Sequence, residues 1–170
     1  MSSTTSVICA DERTTGIDTL PLDLDRWERL AVQVLAAEDV AGELTLTFID
    51  EADMAELNEE HMGKSGPTDV LSFPLDDDEW GDDGDPTPGV PTLLGDIVIS
   101  PAVADAQFAD HAGSFDDEIA LLVVHGVLHI LGHDHAEADE AAAMRARELE
   151  HLTALHWHGP VPAGFRQTHD

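Results

Sequence analysis

Two periods organise the apolar positions of the chain. Trp27, Leu30, Ala31, Val34 and Leu35 recur at the spacing of one helix face, and Asp25 and Glu28 have the spacing of a capping box, so a helix with a buried stripe is predicted from Asp25 onward. Leu44–Ile49 alternates and is rich in β-formers, which predicts a strand. Asp50 then stands where a cap is needed for a helix carrying Met54 and Leu57. In GPTDVLSFP, Gly66 to Pro74, a β-prone centre lies between two prolines, as in a short edge strand. Leu93–Ile99 reads as a further strand, and Ser100-Pro101 opens a helix with serine at the cap and proline at the first helical position. Ser6–Ala10 is a candidate edge strand.

The pattern changes after Ser114. Ser114 and Asp117 mark a helix start, and Asp116, Asp117 and Glu118 fill a first turn where the macrodipole favours negative charge. Ile119–Leu131 is apolar nearly all round, which predicts a central, buried helix stopped by Gly132. A last helix is expected over Ala136–His156, ended by Gly159-Pro160. With strands early, helices late and few βαβ units, the expected class is α+β. Residues 1–170 read as a single domain with an acidic loop at about 76–92 and a C-terminal tail at 159–170; seven of the ten residues from 76 to 85 are acidic, as in a solvated loop.

The central helix carries HGVLHILGHDH, His125 to His135. Residues four apart on a helix project from nearly one face, so His125 and His129 can reach one metal ion. A continued helix would turn His135 about 80° away and carry it about 15 Å along the axis. Gly132 can take the left-handed conformation that folds the chain back and lets His135 supply a third imidazole. Three histidines with a fourth position open to water make a catalytic zinc site. Isolated histidines on apolar helices are more often hydrogen-bonded core residues, but this spacing with its glycine stop favours the metal reading. Asp134 serves either to orient a metal-ligand histidine or to cap the last helix. His133 is read as facing away from the metal, and His151, His156 and His158 have no ligand spacing. The same histidine spacing occurs in metzincin proteases, which place a glutamate general base directly after the first histidine. That position is Gly126 here, which argues against a protease.

Composition narrows the reading. Seven Lys and Arg against 36 Asp and Glu leave a net charge of −29, which excludes a protein that coats nucleic acid through a basic surface. Lys64 is the one lysine, and no other Lys or Arg lies between Arg29 and Arg145. Cys9, a lone cysteine, excludes an internal disulfide framework and a cysteine-rich zinc site, and fits a reducing interior. The first residues lack the basic start and apolar stretch of a signal peptide, and Ile119–Leu131 is too short for a bilayer span. A soluble, cytoplasmic protein is expected, with no membrane or DNA partner.

Three blocks together resemble the YbeY family of bacterial endoribonucleases and rRNA maturation factors. HGVLHILGHDH is similar to the family's HGxLHLxGYDH; LNEEHMGKSGPTDVLSFP, Leu57 to Pro74, to LNxxYRxxDxPTDVLSFP; and LGDIVIS, Leu94 to Ser100, to LGDIxIS. The resemblance implies a zincin-like fold, a small mixed sheet packed around a central metal-bearing helix with further helices. It implies one zinc ion on His125, His129 and His135, and single-strand-specific cleavage in 16S rRNA 3′-end processing and ribosome quality control. It also makes Lys64 a candidate for phosphate contact; Thr68, Asp69 and Ser72 either line the substrate cleft or satisfy buried backbone groups around Pro67. Two positions depart from the family pattern: His61-Met62 stands for its Tyr-Arg, and His133 for its tyrosine. Asp96 is expected to make a buried structural hydrogen bond.

Zinc acidifies bound water and polarises a phosphoryl oxygen. In-line attack by the zinc-held hydroxide is therefore the preferred chemistry, with attack by the RNA 2′-hydroxyl as competitor and no side chain assigned as general base. The other readings are a ribosome-assembly factor with a structural or weakly active zinc site, and a metalloprotease. The expected partners are rRNA, the small ribosomal subunit and basic ribosomal proteins, whose charge complements this surface. So acidic a chain repels itself, and its melting temperature is expected to be higher in molar than in dilute salt, as thermal unfolding at the two concentrations will show.

Overall fold

The computed structural model describes residues 5–14, 18–63, 65, 66, 68–74, 93–110, 112–132, 138–163 and 165. Lys64, His133, Asp134, His135, the acidic loop at 76–92 and half of the C-terminal tail (164 and 166–170) lie outside the described residues. Four strands form one mixed sheet: β1 (Ser6–Asp11), β2 (Glu43–Phe48), β3 (Val70–Pro74) and β4 (Leu93–Ile99), in the order β1-β2-β4-β3. β1, β2 and β4 run parallel, and β3 pairs antiparallel to β4 at an edge. Five helices accompany them: α1 (Leu24–Ala37), α2 (Glu51–Met62), α3 (Pro101–Gln107), α4 (Phe115–Ile130) and α5 (Ala138–His151). The architecture is α+β, as the order of elements predicts.

Alternation along the strands decides which face meets which helix. Leu44, Leu46 and Phe48 of β2, with Ile97 and Ile99 of β4, join α1 and α4 in the main core. Leu71 and Val98, cross-strand partners on the opposite face, pack with Met54 and Leu57 of α2 in a smaller cluster. Asp96 shares that second face but lies beyond the cluster and is exposed, so the buried hydrogen bond expected of it is not made. The reason is the two-residue period of the strand, which turns Asp96 away from the core that takes Ile97.

Helix starts follow the expected chemistry with three corrections, one of them at Ser100, which holds the cap position of α3 before Pro101 but makes no side-chain cap bond. Asp23, not Asp25, caps α1, its carboxylate accepting from the Arg26 amide at 3.2 Å; Asp25 falls in the first turn instead. Asp50 holds the cap position of α2 but turns its carboxylate to Thr14, accepting from the amide at 2.8 Å and the hydroxyl at 2.6 Å. Ser114 caps α4 as expected, through the Asp117 amide at 3.2 Å. The last helix is α-helical only to His151 and then widens into a π-helical turn, Leu152–Trp157. The widening lets consecutive side chains reach one carboxylate: His156 Nε2 lies 2.8 Å and Trp157 Nε1 2.9 Å from Asp117 Oδ1.

α4 is the central element, with twelve of its 16 residues buried. It approaches β4 closely at Gly126, where a Cβ would stand 2.8 Å from Ile97 Cγ2 and 3.2 Å from Cδ1. Both atoms belong to a β-branched side chain fixed in the core, so neither can swing aside cheaply. α5 lies over α4 and is tied to the end of α1 by Glu38, which accepts from His151 Nε2 at 2.6 Å and Arg147 Nε at 2.5 Å. Burial raises the Glu38 pKa, but the bonds from His151 and Arg147 outweigh it and hold the carboxyl below its ordinary 4.5. Cys9 is pushed up to about 12 by burial and by Glu28, Asp11 and Asp25, so its thiol is not poised for reaction. No helix among the described residues is long and apolar enough to cross a membrane.

Two outcomes follow from this packing. Gly126→Ala gains about 1 kcal/mol of helix propensity but overpacks a rigid contact at about 1–3 kcal/mol, so its melting temperature is expected to fall by a few degrees. Because the Glu38 pKa is lowered on folding, its contribution is complete above pH 4.5 and is lost as pH falls through the lowered value. Thermal unfolding of wild type and Glu38→Gln at about pH 6 and about pH 3 is expected to show the smaller acid loss in the variant.

Candidate metal centre

His125 and His129 project from one face of the last turns of α4, with ring centroids 6.0 Å apart and planes inclined at 61°. The four-residue spacing in a helix produces this pairing, and burial of the surrounding helix keeps it in place. α4 ends as predicted: the Leu131 amide donates to Val127 and Leu128 carbonyls, and Gly132 takes φ +100°. That left-handed residue turns the chain out of the helical path immediately before the segment that contains His135.

His125 is 8% exposed, and its Nδ1 lies 2.7 Å from Oε2 of Glu148, itself only 2% exposed. A carboxylate accepts, so Nδ1 carries the proton and Nε2 keeps its lone pair. Imidazole nitrogens are among the ligands zinc takes, and two of them four residues apart on one helix face fit the implied ion. Among the described residues no group of three His, Cys, Asp or Glu side chains is assembled to hold a metal.

Of the residues expected along the substrate cleft, Ser72 reaches the histidine-bearing part of α4, and Asp69 is tied through Gln107 toward its first turn. Ser72, on β3, lies with its hydroxyl 3.4 Å from the Gly126 carbonyl, one residue from His125. Asp69 accepts from the Val70 amide at 2.8 Å and from Gln107 Nε2 at 2.7 Å, with the Thr68 hydroxyl at 3.4 Å. Gln107 Nε2 also reaches Glu118 at 3.1 Å, and the Ala112 amide donates to Glu118 at 3.3 Å. Glu118 is thus more than a first-turn charge. It is fully buried and joins α4 to α3 and to the start of β3.

Glu148 is the partner of the histidine pair that motif spacing missed. The signal available in the sequence is an acid between Met144 and Leu152, four residues from each, on the stripe of α5 that the structure buries. His151 and His156, which have no ligand spacing, are bound instead to Glu38 and Asp117. Gly126 also bears on the protease reading: a glutamate there would meet Ile97 at its first side-chain atom.

Residues 13–156 match the family model described as Endoribonuclease YbeY. A protein named Endoribonuclease YbeY from Acidothermus cellulolyticus is 46% identical over 155 residues, covering 88% of this chain and 90% of that one. One of the same name from Thermobifida fusca is 46% identical over 136 residues, covering 78% of this chain and 86% of its own. The solution structure of TM1509 from Thermotoga maritima shares the fold, with a TM-score of 0.59 at 21% identity over 89% of this chain and 90% of that one. With the histidine pair, its glycine stop and the PTDVLSFP strand all within the matched span, the chain belongs to the YbeY endoribonuclease family.

Proposed function

We propose that this chain is a cytoplasmic, single-strand-specific endoribonuclease that uses one zinc ion on His125, His129 and His135 and matures the 3′ end of 16S rRNA within ribosome quality control. The observation that carries the reading is the His125–His129 pair on one face of a buried helix, with Nδ1 of His125 held by Glu148. When bound, zinc supplies Lewis acidity and an acidified water for attack on a phosphodiester. The protein's own part is to hold that chemistry in place and to bring the strand to it. His125 and His129 are fixed by α4, and His135 enters after the turn at Gly132. Lys64 contacts a substrate phosphate. Thr68, Asp69 and Ser72 border the strand along β3, which meets α4 at Gly126, and Asp134 orients a neighbouring histidine. No carboxylate follows the first histidine, which suits a phosphodiester better than a peptide bond. The acidic surface is served by basic ribosomal proteins as partners, with the small subunit presenting the RNA.

Met62, in place of the arginine of the family pattern, favours a second reading, a ribosome-assembly factor whose zinc site is weakly active. Cleavage of a structured rRNA fragment with a single-stranded 3′ tail separates the two. Wild type is expected to cleave with zinc and to stop with chelator, and His129→Ala is expected to lose more than about 100-fold, since removing even a ligand's supporting partner costs ten- to a hundredfold. Equal cleavage by wild type and variant would overturn the assignment of chemistry to this site. Absence of cleavage by either would favour the assembly factor. Linear phosphate ends mark attack by water, and 2′,3′-cyclic phosphate ends mark attack by the RNA 2′-hydroxyl.

A further inference from the structure

We infer that Glu148 is a positioning residue for the metal centre: it sets the tautomer and ring orientation of His125 and raises the affinity of the histidine site for zinc. The inference rests on the zinc reading above and deepens it. The carboxylate and the ring are both buried, and Oε2 stands 2.7 Å from Nδ1, the length of a charge-assisted bond. A buried histidine free to choose its tautomer divides its lone pair between two nitrogens. An acceptor fixed at Nδ1 places the lone pair on Nε2 every time and makes that nitrogen more electron-rich.

The carboxylate has little freedom to move. Glu148 lies between Met144 and Leu152, which are 1% and 0% exposed, so α5 is pressed against the core one turn before and one turn after it. Its neighbours Arg147 and His151 both donate to Glu38 at the end of α1, which holds α5 from a second direction. The rotation of α5 about its axis is therefore set by groups outside the metal centre, and Glu148 carries that register to His125. For packing alone, a carboxylate is a poor choice in such an interface, because its burial is costly and an apolar side chain of similar size would serve as well. The placement is explained by what Glu148 does to the imidazole.

A purely structural tie between α4 and α5 would affect melting but not the zinc affinity of the folded protein, and this difference is the test. The whole chain as wild type, Glu148→Gln and Glu148→Ala would be titrated with zinc against a chromophoric chelator, with thermal unfolding measured in parallel. Cobalt in place of zinc gives an absorption spectrum that reports ligand geometry. Glu148→Gln keeps the shape and an acceptor oxygen but not the charge, and is expected to fold and to bind zinc about 10-fold more weakly. Glu148→Ala is expected to lose up to about 100-fold, with an altered cobalt spectrum. If Glu148→Ala does not fold, Glu148→Gln still decides. Tight zinc binding by wild type with unchanged affinity and cobalt spectrum in Glu148→Gln would overturn the inference and leave the zinc reading standing. A wild type that holds no zinc would overturn both.

Discussion

Burying α4 along nearly its whole length obliges every polar group on it to find a partner in another element, and those partners build the rest of the molecule around it. Glu118, in its first turn, is answered by Gln107 of α3 and the Ala112 amide. Asp117 is answered by His156 and Trp157 from the π-helical turn after α5. His125 faces Glu148 of α5, and the Gly126 carbonyl faces the hydroxyl of Ser72 on β3. Five elements are thus tied to one helix by polar groups, α1 among them through Arg26 and Asp116, while β2 and β4 are joined to it by apolar packing. The directional bonds give the arrangement a single register, which uniform apolar packing specifies less well.

That register matters most at the histidine pair. Gly126 lets α4 lie against Ile97, so the residue beside the first histidine contributes no side chain. In the proteases with the same histidine spacing, that position holds the general base. Here the space is taken by packing, and the carboxylate closest to the pair in function comes from another helix, acting on Nδ1 of His125 rather than on substrate. The same histidine spacing is therefore set here beside a backbone position packed too closely for a side chain.

What was legible in the sequence, and what was not, follows from the range of each interaction. The helix stop at Gly132, the Ser114 cap, the apolar helix and the alternating strands are local patterns, and all are present. The spacing of Asp25 and Glu28 places the cap of α1 two residues late, because Asp23 is followed at the third position by Arg26 rather than by an acid, and only hydrogen-bond geometry identifies it. Asp50 met a donor 36 residues away that no local pattern announces. Glu148 is 23 residues from His125, and pairing them requires knowing how α5 folds back over α4. The two histidines on one helix were readable from spacing; the partner that orients one of them was not, because it depends on tertiary rotation. The π-helical turn was missed for a related reason, since its cause is a carboxylate on another helix.

The charge of the chain constrains how such a site can meet RNA. With a net charge of −29, long-range electrostatics repel a phosphate backbone, and affinity gained by counterion release is small. Several of the cations present are already committed: Arg13 to Asp11, Arg26 to Asp116 and to the face of Trp27, Arg147 to Glu38 and Glu150. Lys64 is the only Lys or Arg between Arg29 and Arg145, and the segment PTDVLSFP begins three residues after it. Recognition under these conditions has to be short-ranged, through groups close to the scissile strand, because the long-range field of the chain opposes it. An acidic nuclease of this kind gains selectivity from the same repulsion, because RNA that is not presented to the site has little reason to linger on its surface.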